Sequence, residues 1–206
     1  MNREAVVTGL TGQTGAGKTT VCNSFEKKGF SVINADIIAR KAVRKGEPCL
    51  DEIEKHFGSE ILLENGELDR KKLGGIVFSD KDKLELLDSI VYPFIMDYIS
   101  EEITEAIESG RRFILLDAPT LFESGADSLC DVIVSVTADS KLRLMRIIER
   151  DGMTREQALD RMASQHDEAF FRKNSEYIIE NNGSIQELSE AAEKTADTIT
   201  NLFKNK

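Results

Sequence analysis

The stretch Gly12-Gln13-Thr14-Gly15-Ala16-Gly17-Lys18-Thr19 fits the pattern G-x-x-x-x-G-K-[S/T]. It follows the apolar run Ala5–Leu10, which predicts a buried strand, and it precedes a helical pattern that begins near Lys18. Glycines let backbone N–H groups close around phosphate oxygens, and the N-terminus of the next helix favours an anion. The stretch therefore predicts a nucleoside triphosphate site, with a flexible Gly/Thr turn as the structural alternative.

Apolar runs and helical patterns alternate along the rest of the chain. They predict an α/β fold of the P-loop type, a three-layer α/β/α arrangement with a five-stranded parallel sheet. The C-terminal helix, from about Ser184 to Phe203, is expected to pack on the sheet because its apolar residues follow helical spacing. The further predicted strands are Phe30–Asn34, Phe113–Leu116 ending on Asp117, Val132–Val136 and Tyr177–Ile179.

The chain is expected to form a single kinase-type domain of three parts. The nucleotide-binding core comprises about 1–48, 111–138 and 172–206. A helical insertion at about 49–110 is predicted to form one wall of an acceptor site, and a helical lid is predicted at about 139–171.

Composition excludes several classes of protein. A net charge of −10 disfavours nucleic acid as a partner, because binding to its backbone needs a clustered positive surface. No apolar stretch is long enough to span a membrane, and Met1-Asn2-Arg3-Glu4 lacks a secretory signal, so we expect a cytoplasmic location. Cys22, Cys49 and Cys130 form no CxxC pair and are interpreted as packing residues.

Two carboxylates follow predicted strands. Ligands of α/β sheets bind outside the carboxyl ends of the strands, where the phosphate loop, Asp36 and Asp117 all fall. Such a carboxylate can hold hydrated Mg²⁺ or accept the proton of an attacking hydroxyl. The alternative for Asp36 is an N-cap of the next helix. For Asp117, a buried charge without a function would be costly.

The segment from Lys141 to Arg161 leans basic. It is interpreted either as a solvated helix face with ion pairs or as a phosphate clamp on a closing lid. Since the chain lacks the nucleobase-reading Asn-Lys-x-Asp of GTPase switches, we expect a kinase of small molecules. Its charged residues are Lys141, Arg143, Arg146, Arg150, Arg155 and Arg161, against Glu149, Asp151, Glu156 and Asp160.

Nearly the whole chain resembles the dephospho-coenzyme A kinases. Beside the phosphate loop, the resemblance rests on these stretches: Ala35-Asp36-Ile37-Ile38-Ala39-Arg40, Gly66-Glu67-Leu68-Asp69-Arg70, Asp117-Ala118-Pro119-Thr120-Leu121-Phe122-Glu123, Arg161 with Gln165, and Ile179-Glu180-Asn181-Asn182-Gly183. It implies transfer of the ATP γ-phosphate to the ribose 3′-hydroxyl of dephospho-coenzyme A. It also implies a nucleoside monophosphate kinase-like fold, with ATP and Mg²⁺ as cofactors.

The phosphate-loop pattern, the strand ends and the resemblance together predict roles for individual residues. Catalysis falls to Asp36, Lys18, Arg146 and Arg150. The nucleotide is bound by Gly12, Gln13, Thr14, Gly15, Ala16, Gly17, Lys18, Thr19, Thr20, Asn181 and Gly183, the last two on the adenine side. The acceptor is bound by Asp36, Arg40, Leu121, Glu123 and Tyr92, and the metal by Thr19 and Asp117. Either Asp36 or Asp117 could take the proton.

Four positions depart from the family pattern: Gln13, Asn34, Tyr92 and Glu176. Tyr92 matters most, because a phenol cannot act as a cation beside acceptor phosphates; its alternative role is packing. A different small-molecule kinase and a non-catalytic nucleotide sensor are the competing functions. No obligatory protein partner is expected, and the chain is predicted to be a monomer or a weak homo-oligomer.

Overall fold

The computed structural model describes residues 5–204, so the stretch Met1-Asn2-Arg3-Glu4 lies outside the described residues. Five strands form one sheet: β1 Val6–Gly12, β2 Ser31–Asn34, β3 Phe113–Asp117, β4 Val132–Thr137 and β5 Tyr177–Glu180. Their order is β2-β3-β1-β4-β5. β1 pairs in parallel with β3 and β4, and β4 with β5. The predicted α/β fold with a five-stranded parallel sheet is confirmed.

Strand β1 extends two residues beyond the predicted end at Leu10. Thr11 and Gly12 pair with Ser135 and Val136 of β4. The sheet thus continues into the first residue of the phosphate-loop pattern, because β4 supplies hydrogen-bond partners that no local sequence signal records.

Helices fill the connections between strands. Most lie where the sequence predicts them, but the short helix α8 was not predicted. The helices are α1 Lys18–Lys27, α2 Ala35–Ala42, α3 Pro48–Phe57, α4 Arg70–Val77, α5 Lys81–Glu108, α6 Ser140–Asp151, α7 Arg155–Ala163, α8 Glu168–Lys173 and α9 Ile185–Phe203, with 3₁₀ turns at Ser59–Ile61 and Ala126–Leu129. Among the described residues, none of the helices combines the length and apolar character that crossing a membrane requires.

The core of the sheet region packs strand residues against α1 and α9. Leu10, Leu115 and Val134 of the sheet share one apolar cluster with Phe25 of α1 and Ile199 of α9. Each fully buried side chain of this kind contributes about 1.5–3 kcal/mol to the free energy of unfolding, relative to the same side chain left exposed. The packing role predicted for the C-terminal helix is confirmed.

The cysteines are free thiols. Cys22 and Cys49 are buried, and burial raises the pKa of each thiol to about 11. Burial likewise raises the pKa of Cys130 to about 12. Their interpretation as packing residues agrees with these environments, since reactive cysteines have lowered pKa values.

The chain divides into two compact units. The first comprises residues up to Ile33 together with those from Glu105 onward, and the second is Asn34–Thr104. Helix α2, which the sequence analysis assigned to the nucleotide-binding core, belongs to the second unit, where it contacts α3. The functional division into core, insertion and lid stays a prediction.

Candidate active site

The phosphate loop connects the end of β1 to Lys18, the first residue of α1. Gly15 and Gly17 have φ angles of 76° and 100°, which L side chains rarely adopt. A Cβ atom on Gly17 would lie 2.4 Å from Nδ2 of Asn181. The loop therefore needs its glycines both for backbone conformation and for the close approach of Asn181.

Three consecutive carbonyl groups of the loop accept hydrogen bonds from side chains that are distant in sequence. Arg143 Nε donates to Thr14 O over 2.9 Å, and Arg146 donates to Gly15 O over 3.4 Å. Asn181 Nδ2 donates to Ala16 O over 2.8 Å. In a trans peptide, N–H and C=O point in opposite directions. The N–H groups of Gly15 and Gly17 therefore point away from these side chains, as an anion-binding loop requires.

Arg143 was part of the basic stretch but was not predicted as a site residue. Its side chain is buried, and burial lowers the pKa of its guanidinium from the usual value. Arg143 and Arg146 are one turn apart on α6, so they reach the loop from the same helix face. This i, i+3 spacing was the signal that could have identified Arg143.

Arg146 is half-buried and also donates to Asn181 O over 3.2 Å. Asn181 thus binds the loop and this arginine together, directly after the end of β5. Gly183 lies two residues further and is exposed. The contact of Arg146 with a transferred phosphoryl group, and the adenine contacts of Asn181 and Gly183, stay predictions.

Gln165 contacts the loop from the segment between α7 and α8. Its Oε1 accepts a hydrogen bond from the backbone N–H of Thr14 over 2.7 Å. In the sequence, Gln165 is only a match to the family pattern, and no role was predicted for it. Gln13, also in the loop, is buried, and its Oε1 has no hydrogen-bond partner among the described residues.

Lys18 forms an ion pair with Asp117 at the end of β3. Both side chains are largely buried, with 17% and 8% of their surface exposed. Pairing compensates part of the cost of removing two charges from water. Ala118 N–H donates to Leu10 O over 3.0 Å, which fixes the chain after Asp117 against β1. Phosphate loop and strand-end carboxylate are therefore brought together, as the sequence analysis expected.

The donor set beside the loop fits Mg²⁺ and a triphosphate. Thr19 in the first turn of α1 is exposed, and it offers a hydroxyl, while Asp117 offers a carboxylate. Mg²⁺ prefers such oxygen ligands and takes the remainder from phosphates and water. Thr20 follows Thr19 and is half-buried, its N–H donating to Gly17 O over 3.0 Å.

The predicted lid contains a second group of charges. Arg150 donates twice to Asp151, over 2.7 and 2.8 Å, and Arg161 donates to the same carboxylate over 2.8 Å. The hydrogen bond from Arg150 holds the pKa of Asp151 below its usual value. Asp151 therefore ties the end of α6 to α7 and holds two arginines that the sequence analysis placed on the lid.

The segment after Asp117 has both buried and exposed members. Leu121 is fully buried, and a Cβ on Gly9 would lie only 2.9 Å from its side chain. Packing is thus its role in the structure, and its contact with the acceptor stays a prediction. Glu123 is exposed and lies 3.7 Å from His166, whose ring stacks on Phe170 at 3.7 Å between centroids.

In the second unit, Asn34 rather than Asp36 caps α2. Asn34 Oδ1 accepts a hydrogen bond from Ile37 N–H over 3.0 Å. The alternative that Asp36 serves as the N-cap is therefore wrong, because α2 begins at Ala35, two residues before the start that a cap at Asp36 would need. Asp36 lies in the first turn of α2 with its side chain exposed, and Arg40 lies one turn further on the same face.

Arg40 lines a polar pocket of about 210 Å³. Three arginines and one glutamate border this pocket, so its charge is positive. Next to it lies an apolar cavity of about 320 Å³, which shares Val43, Leu68 and Arg70 with the polar pocket. Tyr92 is half-buried in α5, beside the cavity residue Val91. The polar pocket is lined by Arg40, Val43, Arg44, Glu67, Leu68 and Arg70.

Comparisons with known proteins identify relatives along almost the full length. The CoaE family model, described as dephospho-CoA kinase, matches residues 6–187. A Bacillus licheniformis dephospho-CoA kinase is 37% identical over 199 residues, 97% of this chain and 99% of that protein. One from Listeria innocua is 42% identical over 178 residues, 86% and 89% of the two chains. The solved dephospho-CoA kinase structure from Campylobacter jejuni aligns with a TM-score of 0.71 at 28% identity, covering 95% of this chain and 97% of that one.

Proposed function

The chain belongs to the dephospho-CoA kinase family, and we propose that the loop and pocket residues described above carry out the family's reaction. The family phosphorylates dephospho-CoA with ATP in the final step of coenzyme A biosynthesis. This chain is accordingly a kinase that transfers the ATP γ-phosphate to the ribose 3′-hydroxyl of dephospho-CoA, releasing coenzyme A and ADP.

The observation that carries the assignment of residues is the clamped phosphate loop. Its carbonyls are bound by Arg143, Arg146 and Asn181, so the N–H groups of Gly15 and Gly17 are oriented before the nucleotide arrives. Donors that are already oriented cost no reorganisation when charge develops during phosphoryl transfer. Lys18, at the start of α1, is proposed to neutralise the β- and γ-phosphates.

The second unit is proposed to bind the acceptor. Dephospho-CoA combines a diphosphate with a long, largely uncharged arm. The pocket of Arg40, Arg44 and Arg70 suits the diphosphate, because guanidinium groups bind phosphate oxygens in pairs. The adjoining apolar cavity suits the arm. Arg70 lines both and would bind at their junction.

Asp36 is the proposed acceptor of the hydroxyl proton. Asp117 is buried and already paired with Lys18, whereas the Asp36 side chain is exposed and does not cap α2. Asp36 also shares a helix face with Arg40, so one face of α2 would present both the base and a phosphate ligand to a single acceptor. Asp117 is assigned to the metal side with Thr19.

Mg²⁺ is proposed to bind together with ATP, neutralising phosphate charge when it is present. Thr19 and Asp117 are its proposed protein ligands. The cytoplasmic location and the monomeric or weakly associated state remain predictions.

The direct test is ADP release from MgATP with dephospho-CoA as acceptor. AMP and an acceptor-free reaction serve as controls, and mass spectrometry and ³¹P NMR locate the new phosphate. We expect turnover that depends on dephospho-CoA, and a product phosphorylated at the 3′ position. Turnover with AMP alone would indicate a different small-molecule kinase. ATP binding with no acceptor-dependent turnover would indicate a nucleotide sensor.

A further inference from the structure

The Thr14 peptide groups are held from two directions. The N–H donates to Gln165 Oε1 over 2.7 Å, and the C=O accepts from Arg143 Nε over 2.9 Å. Both partners are separated from Thr14 by more than a hundred residues, and both lie in the α6–α8 region. Thr14 is thus the residue of the phosphate loop whose own N–H and C=O are both bound by side chains of that region.

Gln165 is presented by anchored neighbours. Asp167 Oδ1 accepts from Phe170 N–H over 2.8 Å and caps α8. The ring of His166 stacks on Phe170, and Phe122 packs edge-on against Phe170 at 5.1 Å. These contacts fix the backbone on one side of Gln165, and α7 ends two residues before it. The backbone that presents its carboxamide to the loop is therefore anchored.

Holding Thr14 affects the next residue of the loop. The C=O of Thr14 and the N–H of Gly15 belong to one planar peptide, so fixing the first fixes the second. Gly15 has a φ of 76° and, as a glycine, is free to sample many other conformations. The bond from Arg143 orients the peptide that leads into Gly15, and the bond to Gln165 orients the peptide before it, so both restrict the loop before phosphate binds.

We propose that Gln165 is a positioning residue, which fixes the Gln13–Thr14 peptide of the phosphate loop, so that the loop is held in the orientation that receives the triphosphate. Gln165 acts through Thr14 rather than by touching the nucleotide. Arg143 supplies the opposing contact. The α6–α8 region thereby stabilises the loop as well as bearing the arginines predicted for the lid. The catalytic part of this inference rests on the proposed kinase function.

The test compares Gln165→Met, which keeps side-chain length but removes the acceptor, with Gln165→Glu, which keeps an acceptor oxygen. Gln186→Met is the matched control, because Gln186 lies in the first turn of α9 with its side chain exposed. Hydrogen exchange of the Thr14 amide is measured by NMR. We expect Gln165→Met to exchange about tenfold faster than wild type, and Gln165→Glu to stay close to wild type.

The kinetic readout is the Michaelis constant of each substrate. In Gln165→Met we expect the KM for MgATP to rise about tenfold, the KM for dephospho-CoA to stay the same, and Gln186→Met to behave as wild type. If Gln165 acted only by packing, Met would preserve MgATP binding and Glu would weaken it, which is the opposite of the order that we expect. Unchanged Thr14 exchange in Gln165→Met would overturn the proposal.

Two further measurements keep the test decisive. If Gln165→Met does not fold, Thr14 exchange is measured in wild type and in Gln165→Asn, whose shorter side chain cannot span the same distance. A Thr14 amide that exchanges freely in wild type overturns the proposal. If dephospho-CoA is not phosphorylated, MgATP affinity measured by calorimetry replaces the kinetic readout. The proposed function would then fail while the role of Gln165 is still decided.

Discussion

The phosphate loop and the arginine pocket of the second unit are proposed to bind phosphate by different means. The loop uses backbone N–H groups, and side chains of α6, β5's end and the α7–α8 segment orient them from outside. The pocket would use charged side chains directly: Arg40 of α2, Arg44 of the turn after it, and Arg70 of α4. Backbone donors need external support because a glycine-rich loop has no preferred conformation of its own.

The two regions also differ in how far apart in sequence their interacting residues lie. The loop's supports come from positions more than a hundred residues away, so altering them should disturb nucleotide binding without touching the nucleotide. Two of the pocket's arginines are four positions apart, Arg40 in α2 and Arg44 in the turn that follows it, and need only local structure to converge. Variants of the loop supports should therefore change the binding of MgATP, and variants of the pocket should change the binding of dephospho-CoA.

The largest effect is expected from Lys18→Ala. Removing the ammonium group that is proposed to neutralise phosphate charge should lower kcat/KM about 1,000-fold with any acceptor. Steady-state kinetics with saturating dephospho-CoA measures this. The control is Lys28→Ala, because Lys28 is a lysine that forms its ion pair with Asp197 rather than with Asp117. Activity within a few-fold of wild type would contradict the phosphate-loop assignment.

A smaller but selective loss is expected from Asp36→Asn. An amide cannot take the hydroxyl proton, so kcat should fall about 100-fold while MgATP affinity stays near that of wild type. Calorimetry measures the affinity for MgATP, and the rate of product formation gives kcat. The matched control is Asp51→Asn, since Asp51 is also exposed in the first turn of a helix, α3. Equal turnover of Asp36→Asn and wild type would remove Asp36 from the mechanism.

The smallest effect is expected from Arg40→Ala. Loss of one charged hydrogen-bond donor in the pocket should raise the KM for dephospho-CoA about tenfold and leave the KM for MgATP unchanged. Arg111→Ala, at an exposed arginine of the first unit, is the control. A rise in the KM for MgATP instead would mean that Arg40 binds the nucleotide. The proposed contrast between the two regions would then be wrong.

Local signals accounted for much of the fold and part of the site. The glycine pattern predicted the loop, and apolar runs predicted the sheet, because both depend on residues close in sequence. α8 was missed, since a helix of six residues offers too little periodicity. The N-cap of α2 was assigned to Asp36 as one alternative, although Asn34 three residues before Ile37 is the group that reaches its N–H.

The amino-acid sequence was sufficient to predict the phosphate loop, the alternation of strands and helices, and the family to which the chain belongs. Each is carried by residue types at short or fixed spacings. Only the tertiary structure decided that Arg143, Asn181 and Gln165 hold the loop, and that Asp117 pairs with Lys18. A hydrogen bond depends on the distance and direction between two atoms in space. The number of residues between two positions gives neither quantity, so these contacts are defined only once the strands have assembled into the sheet.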